Sequence, residues 1–217
     1  MRLLFILIGA LVLSSVSAVA TPIKGVKLNV VYIIPEVPGI NVAPLEEQQA
    51  NVYEAIKHLP VKVKLVKEVV AKDACTSARY SDDFAALLCY QRVARKQRLR
   101  TRKDTITLAI TQTWPTPWGT WYYRGYAATI CGLNNVDYGF AFAAMQNGDK
   151  ARGVEWVRHE LMHVLGASHD NGSANLMSQS LFVLAKLGEI LPINKKAIKQ
   201  TKFCHRRTGV KFVEAAK

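Results

Sequence analysis

Hydrophobic positions along the chain recur with two periods. From Gly25 to Pro35 a β-branched run closed by proline predicts a strand. Pro44 opens a helical segment in which Leu45, Val52, Ile56 and Leu59 share a face, and Pro60 stops it. Val61 to Val70 alternates Val and Leu with Lys, the pattern of a half-buried strand. Residues 81–97 predict a helix, with Ser81 as N-cap, Asp82 and Asp83 at its positive end, and Phe84, Leu87 and Leu88 as its apolar face. Asp104 to Trp114 predicts a strand with Ile106, Leu108 and Ile110 on one side. The aromatic, glycine-punctuated region Trp114–Phe142 is expected to hold two more strands, near Tyr126–Ile130 and Tyr138–Ala143. A last helix buries Val154, Val157, Leu161, Val164 and Leu165, with Asp149 as its cap. Strands and helices alternate without an internal repeat, which points to an α/β layered fold.

Composition narrows this picture. The 217 residues, half hydrophobic and 21% charged, fit one globular domain and exclude a disordered chain. Arg2, the apolar run Leu3–Leu13 and the small residues up to Ala18 and Ala20 have the form of a secretory signal peptide. Residues 1–20 are therefore expected to be removed, leaving 21–217 as a single domain. Of the 29 basic residues only Arg2 goes with that segment, and none of the 16 acidic ones, so 28 face 16 and the net charge is +12. Arg92, Arg95, Lys96, Arg98, Arg100, Arg102 and Lys103 form a basic stretch without an acid, suited to an anionic polymer or surface. Export also changes how Cys75, Cys89, Cys131 and Cys204 are read. An even number predicts two disulfides, with three possible connectivities, and no CxxC spacing suggests a thiolate metal site.

The chemistry concentrates in Arg158-His-Glu-Leu-Met-His-Val-Leu-Gly-Ala-Ser-His-Asp170. His159 and His163 are four apart, so a helix projects both from one face towards a single Zn²⁺. Glu160 stands where a carboxylate reaches water at that ion. Gly166 allows a sharp reversal after the helix, and His169 returns as a third ligand. Three imidazoles leave one position open, which is the coordination of a catalytic zinc and not of a structural one. His58, near a helix end, and His205, in the basic tail, are expected on the surface.

The segment resembles the metzincin metallopeptidases, whose pattern HExxHxxGxxH precedes a turn methionine. Met177, eight residues after His169 in Asn175-Leu176-Met177, matches that methionine. Asp170 after His169, and Gly125-Tyr-Ala-Ala-Thr-Ile-Cys131, are most similar to the reprolysin (adamalysin, ADAM-like) group. Gln179 stands where some metzincins carry a tyrosine ligand. The resemblance implies a twisted mixed sheet of about five strands with an antiparallel edge strand, a zinc helix and a C-terminal helix. It implies one catalytic Zn²⁺ held by His159, His163 and His169, Glu160 as general base, and Gly166, Asp170 and Met177 as supports of the site. Tyr126, Ala127, Ala128, Thr129 and Ile130 become the strand that receives an extended peptide, and the disulfides become Cys75–Cys89 and Cys131–Cys204. The expected function is a secreted zinc endopeptidase acting as a monomer on protein or peptide substrates, with a calcium requirement left open. Many relatives of this kind carry an inhibitory prosegment. Here the first strand begins close to the cleavage site, so a self-inhibited form is not expected. The alternative is a non-catalytic protein on the same scaffold that binds anionic surfaces. The intact Glu160 and histidine set speak against it.

Overall fold

The computed structural model describes residues 25–34, 43–75, 83–99, 104–112, 114–115, 121–122, 125–128, 139–145, 150–169, 177 and 196. In chain order these give β1 (Gly25–Ile34), α1 (Leu45–Lys57), β2 (Lys62–Lys72), α2 (Asp83–Lys96), β3 (Thr105–Gln112), β4 (Trp114–Pro115), β5 (Trp121–Tyr122), β6 (Gly125–Ala128), β7 (Phe140–Met145) and α3 (Lys150–Val164).

Five strands form one sheet in the order β2-β1-β3-β7-β6. β1 runs parallel to β2 and β3, β3 parallel to β7, and β6 alone is antiparallel, paired with β7. This is the α/β arrangement that the alternation of strands and helices predicts, with the antiparallel edge that the resemblance implies. β4 and β5 make a separate two-residue ladder that the periodicity does not reveal.

The sheet is covered on both faces. On one, Val52 and Ala55 of α1 and Val157, Leu161 and Val164 of α3 pack on Leu28, Val30, Leu108, Ile110, Ala141 and Ala143. On the other, Ala86, Leu87, Tyr90 and Val93 of α2 pack on Val31, Ile33, Ala109, Phe140 and Phe142. Double coverage explains why β3 and β7 are buried at every position, since parallel strands between two helical layers have no solvent side. Each fully buried Leu, Ile or Phe contributes on the order of 1.5–3 kcal/mol of transfer free energy.

The edge strand β2 departs from simple alternation. Leu28 pairs with Leu65 and Asn29 with Lys67, so Val66 is an extra residue in a bulge. The strand's facing is reversed beyond this bulge. Val63 and Leu65 lean on the α1/α3 core, whereas Val69 and Ala71 lean on the α2 core. Lys62, Lys64, Lys67 and Lys72 remain exposed along this edge, where charge opposes pairing with another strand.

Phe84 also differs from the reading of α2 as a simple amphipathic helix. Leu87 is buried and Leu88 half-buried, but Phe84 is 41% exposed. A disulfide joins Cys75 to Cys89 and ties the segment after β2 to α2. Cys131, Cys204, Ser81, Asp82, Asp149 and the C-terminal helix expected from the resemblance lie outside the described residues. His58 is exposed at the end of α1, its Nε2 2.8 Å from Glu54 Oε1; His205 lies outside the described residues.

Candidate metal centre

α3 carries His159, Glu160 and His163, and His159 and Glu160 are buried. The helix stops in two paired bonds: Ala167 N–H donates to Met162 O at 3.0 Å, and Gly166 N–H to His163 O at 2.9 Å. That pattern needs a left-handed residue just past the helix, and Gly166 supplies it with φ 98°. Ala167 and Met162 are both buried, giving the apolar contact that accompanies such an ending. The reversal brings His169 back over the helix.

The three Nε2 atoms meet. His159 and His163 lie 3.0 Å apart, His163 and His169 3.0 Å, and His159 and His169 3.2 Å. Nitrogens bound about 2.0–2.1 Å from a shared zinc at tetrahedral angles stand about 3.4 Å from one another. The triangle therefore fits one such ion with little adjustment. The proton positions agree. His163 Nδ1 lies 2.8 Å from Ala167 O, and a carbonyl only accepts, so Nδ1 carries the hydrogen and Nε2 offers a lone pair. Burial lowers the His163 pKa to about 4, outweighing its bond to Ala167, and burial also lowers that of His169. Both are neutral at pH 7, the state in which imidazole ligates a metal. These are the only three His, Cys, Asp or Glu residues among the described residues whose donor atoms converge in this way.

The surroundings fix the ligands. The Trp156 ring stacks on His159, with centroids 5.2 Å apart and planes 6° apart. Arg158 Nη1 on the same helix donates to both carboxylate oxygens of Glu155, at 2.9 and 3.0 Å, and its Nη2 donates to His58 O at 3.4 Å, which ties α3 to the end of α1. Met177 is fully buried in the core that holds Leu161, Met162 and Leu165. Gly125, the first residue of the edge strand β6, lies directly against the Glu160 carboxylate.

The fold thus brings His159, His163 and His169 together, with Glu160 on the same helix, Gly166 at its end and Met177 in the core against which that helix packs. Tyr126, Ala127 and Ala128 lie in β6, with no strand on its outer side among the described residues. Thr129, Ile130 and Asp170 lie outside the described residues. Sequence reasoning passed over Trp156, Gly125 and the Ala167 carbonyl. Trp156 is three residues before His159, a helical neighbour spacing that could have flagged it. Gly125 acts through its missing β-carbon, and its glycine in the Gly125–Cys131 segment was the available signal; the Ala167 carbonyl is backbone, which carries no residue signature.

No protein-family profile and no curated protein sequence matches the chain. Solved structures share its fold. Metalloproteinase-II from Bacteroides fragilis superposes with TM-score 0.56 at 13% identity, over 82% of this chain and 53% of that one, so the chain spans about half of that protein's length. Archaemetzincin from Methanopyrus kandleri gives 0.54 at 21% identity, over 81% and 94%. A zinc-dependent peptidase from Methanocorpusculum labreanum gives 0.53 at 13% identity, over 79% and 99%. At these identities the likeness is one of fold, the α/β fold of zinc metallopeptidases.

Proposed function

We propose that the chain is a secreted, zinc-dependent endopeptidase of the metzincin type, with residues 21–217 as a single monomeric catalytic domain. The observation that carries this reading is the convergence of three imidazole nitrogens at the helix that carries Glu160, with no strand beyond β6 among the described residues. The zinc peptidases among the structural neighbours support it. His159, His163 and His169 would hold the ion, which when bound supplies Lewis acidity and lowers the pKa of water towards 7.

The remaining chemistry belongs to the chain. Glu160 takes the proton of the attacking water and returns it to the leaving amine. An extended peptide adds to β6 as a further strand through main-chain hydrogen bonds. Gly125 admits that backbone close to Glu160. The Ala167 carbonyl and the Trp156 ring hold His163 and His159 in orientation.

Further parts of the reading rest on sequence. The hydrophobic leader at residues 1–20 supports export, and the Cys75–Cys89 disulfide is in keeping with an oxidising compartment. The pairing of Cys131 with Cys204 and the affinity to reprolysins follow from the resemblance around Gly125–Cys131 and from Asp170. Anionic polymers would bind the stretch Arg92–Lys103. In support, Lys67 Nζ reaches Gln97 O at 3.4 Å, which adds a lysine of β2 to the end of α2.

The test is digestion of a diverse peptide mixture by the zinc-loaded mature chain, beside Glu160→Ala and His163→Ala, with cut sites read by mass spectrometry. Expected are internal cuts by the wild type, none by either variant, and zinc retained by Glu160→Ala alone. Cuts that persist in Glu160→Ala would refute the assigned base. An inert, zinc-bound wild type would refute the peptidase.

A further inference from the structure

Two aromatic rings stand exposed at the edge strand β6. Phe84, in the first turn of α2, and Tyr126, the second residue of β6, are each 41% exposed. Their centroids lie 6.3 Å apart with the planes at 70°, an edge-to-face contact. Neither ring takes part in the chemistry proposed above, and the pair leaves ring surface in water beside the strand proposed to receive the peptide.

The register shows which side of that edge they serve. Tyr126 pairs with Phe142 and Ala127 with Ala141. Phe142 belongs to the α2 core, whereas Ala141 belongs to the α3 core. Side chains alternate along a strand, so Tyr126 points to the α2 face, while Gly125 and Ala127 point to the face that carries Glu160 and the histidines. A peptide added to β6 obeys the same alternation. Its residue opposite Tyr126 projects onto the α2 face, with β-carbons about 4.5–5.5 Å apart. Its immediate neighbours project towards the histidines.

We propose that Phe84 and Tyr126 form a specificity shelf for the peptide substrate, selecting an aromatic or large aliphatic side chain on the face of the bound strand away from the histidines. The proposal rests on the peptidase reading and adds a substrate class to it. The shelf suits such a side chain because a third ring or a branched chain can extend the edge-to-face pair and cover apolar surface that is otherwise wet. It is formed by two half-exposed rings, so it grades substrates instead of excluding them. Tyr126 is one residue from Gly125, about 3.3 Å along the strand, which places the selected side chain close to the scissile bond.

Peptide libraries randomised around a common core, digested by the zinc-loaded chain and by Phe84→Ser, Tyr126→Ser and Tyr126→Phe, test this. In the wild type, Phe, Tyr, Leu and Met should be enriched at one position flanking the cut. Each serine variant should lower kcat/KM for those peptides roughly three- to tenfold relative to peptides with Ala at that position. Tyr126→Phe should keep the preference. If a serine variant does not fold, the glutamine variant at the same position carries the same expectation. Identical preferences in wild type and variants would overturn the shelf and leave the peptidase standing. No cleavage by wild type would overturn both.

Discussion

The Glu160 carboxylate packs directly against the α-carbon of Gly125, so a β-carbon at residue 125 would overlap Oε1, Cδ and Cγ of Glu160. This contact joins the zinc-helix candidate to the edge strand and sets how close a peptide backbone can come to the proposed base. The atoms in the way are the end of a side chain, so Gly125→Ala displaces the carboxylate and spares the sheet. Peptidase activity should fall about a hundredfold, the scale of an ångström-sized misplacement of a catalytic group. Bound zinc, measured by elemental mass spectrometry, should be unchanged. Full activity in Gly125→Ala would show that Glu160 is not held there during the reaction.

Arg98 ends α2 in a left-handed conformation, with φ 58°. Leu99 N–H donates to Ala94 O and Arg98 N–H to Arg95 O, the same ending that Gly166 provides for α3. Arg98 is exposed, so its side chain has little burial to lose. Arg98→Gly should therefore stabilise the fold by about 0.5–1 kcal/mol, by removing the β-carbon clash of the left-handed region. Urea unfolding checks it, and a lower midpoint would contradict it.

Glu68 on β2 accepts two tyrosine hydroxyls, from buried Tyr32 and exposed Tyr53, each at 2.6 Å. Tyr32→Phe should cost about 1.5–3 kcal/mol, the range for a hydrogen bond to a charged group, and Tyr53→Phe less. Burial first, then the bond to Glu68, pushes the Tyr32 hydroxyl far above its ordinary value. The folded state holds this proton more tightly than the unfolded chain. Its contribution is complete below the unfolded tyrosine pKa of about 10 and is lost as pH rises beyond it. Stability of the wild type should decline above pH 10, and Tyr32→Phe should decline less steeply. Parallel pH curves would remove Tyr32 as the cause.

The Cys75–Cys89 bridge spans 14 residues. Closing a loop of that size restricts the unfolded chain by about 3 kcal/mol. Reduction, or Cys75→Ala with Cys89→Ala, should lower the denaturant midpoint correspondingly. The histidine triangle should survive, because α3 and the turn at Gly166 do not depend on that bridge. Loss of zinc binding on reduction would show otherwise.

Local chemistry made much of this legible without a structure. The β-branched run at Gly25–Ile34, the prolines around Leu45–Lys57 and the stripe from Val154 to Leu165 predict their elements because period and breakers are local properties. His159, His163, Gly166 and His169 predict a metal site because helical spacing and a glycine stop fix where three side chains go. Tertiary structure decided the rest. Only the sheet order sets Gly125 against Glu160, 35 positions along the chain. Only the bulge at Val66 determines which face of β2 meets α1 and which meets α2. Only the turn after α3 supplies the Ala167 carbonyl that fixes the His163 tautomer. Phe84 was legible as an apolar helix position, but its exposure beside Tyr126 depends on where β6 ends the sheet. The sequence on its own determined the donor set and the elements that carry it, because periodicity and ligand spacing act within a few residues. The fold decided what stands opposite those residues, because such contacts depend on strand order and register that no single segment encodes.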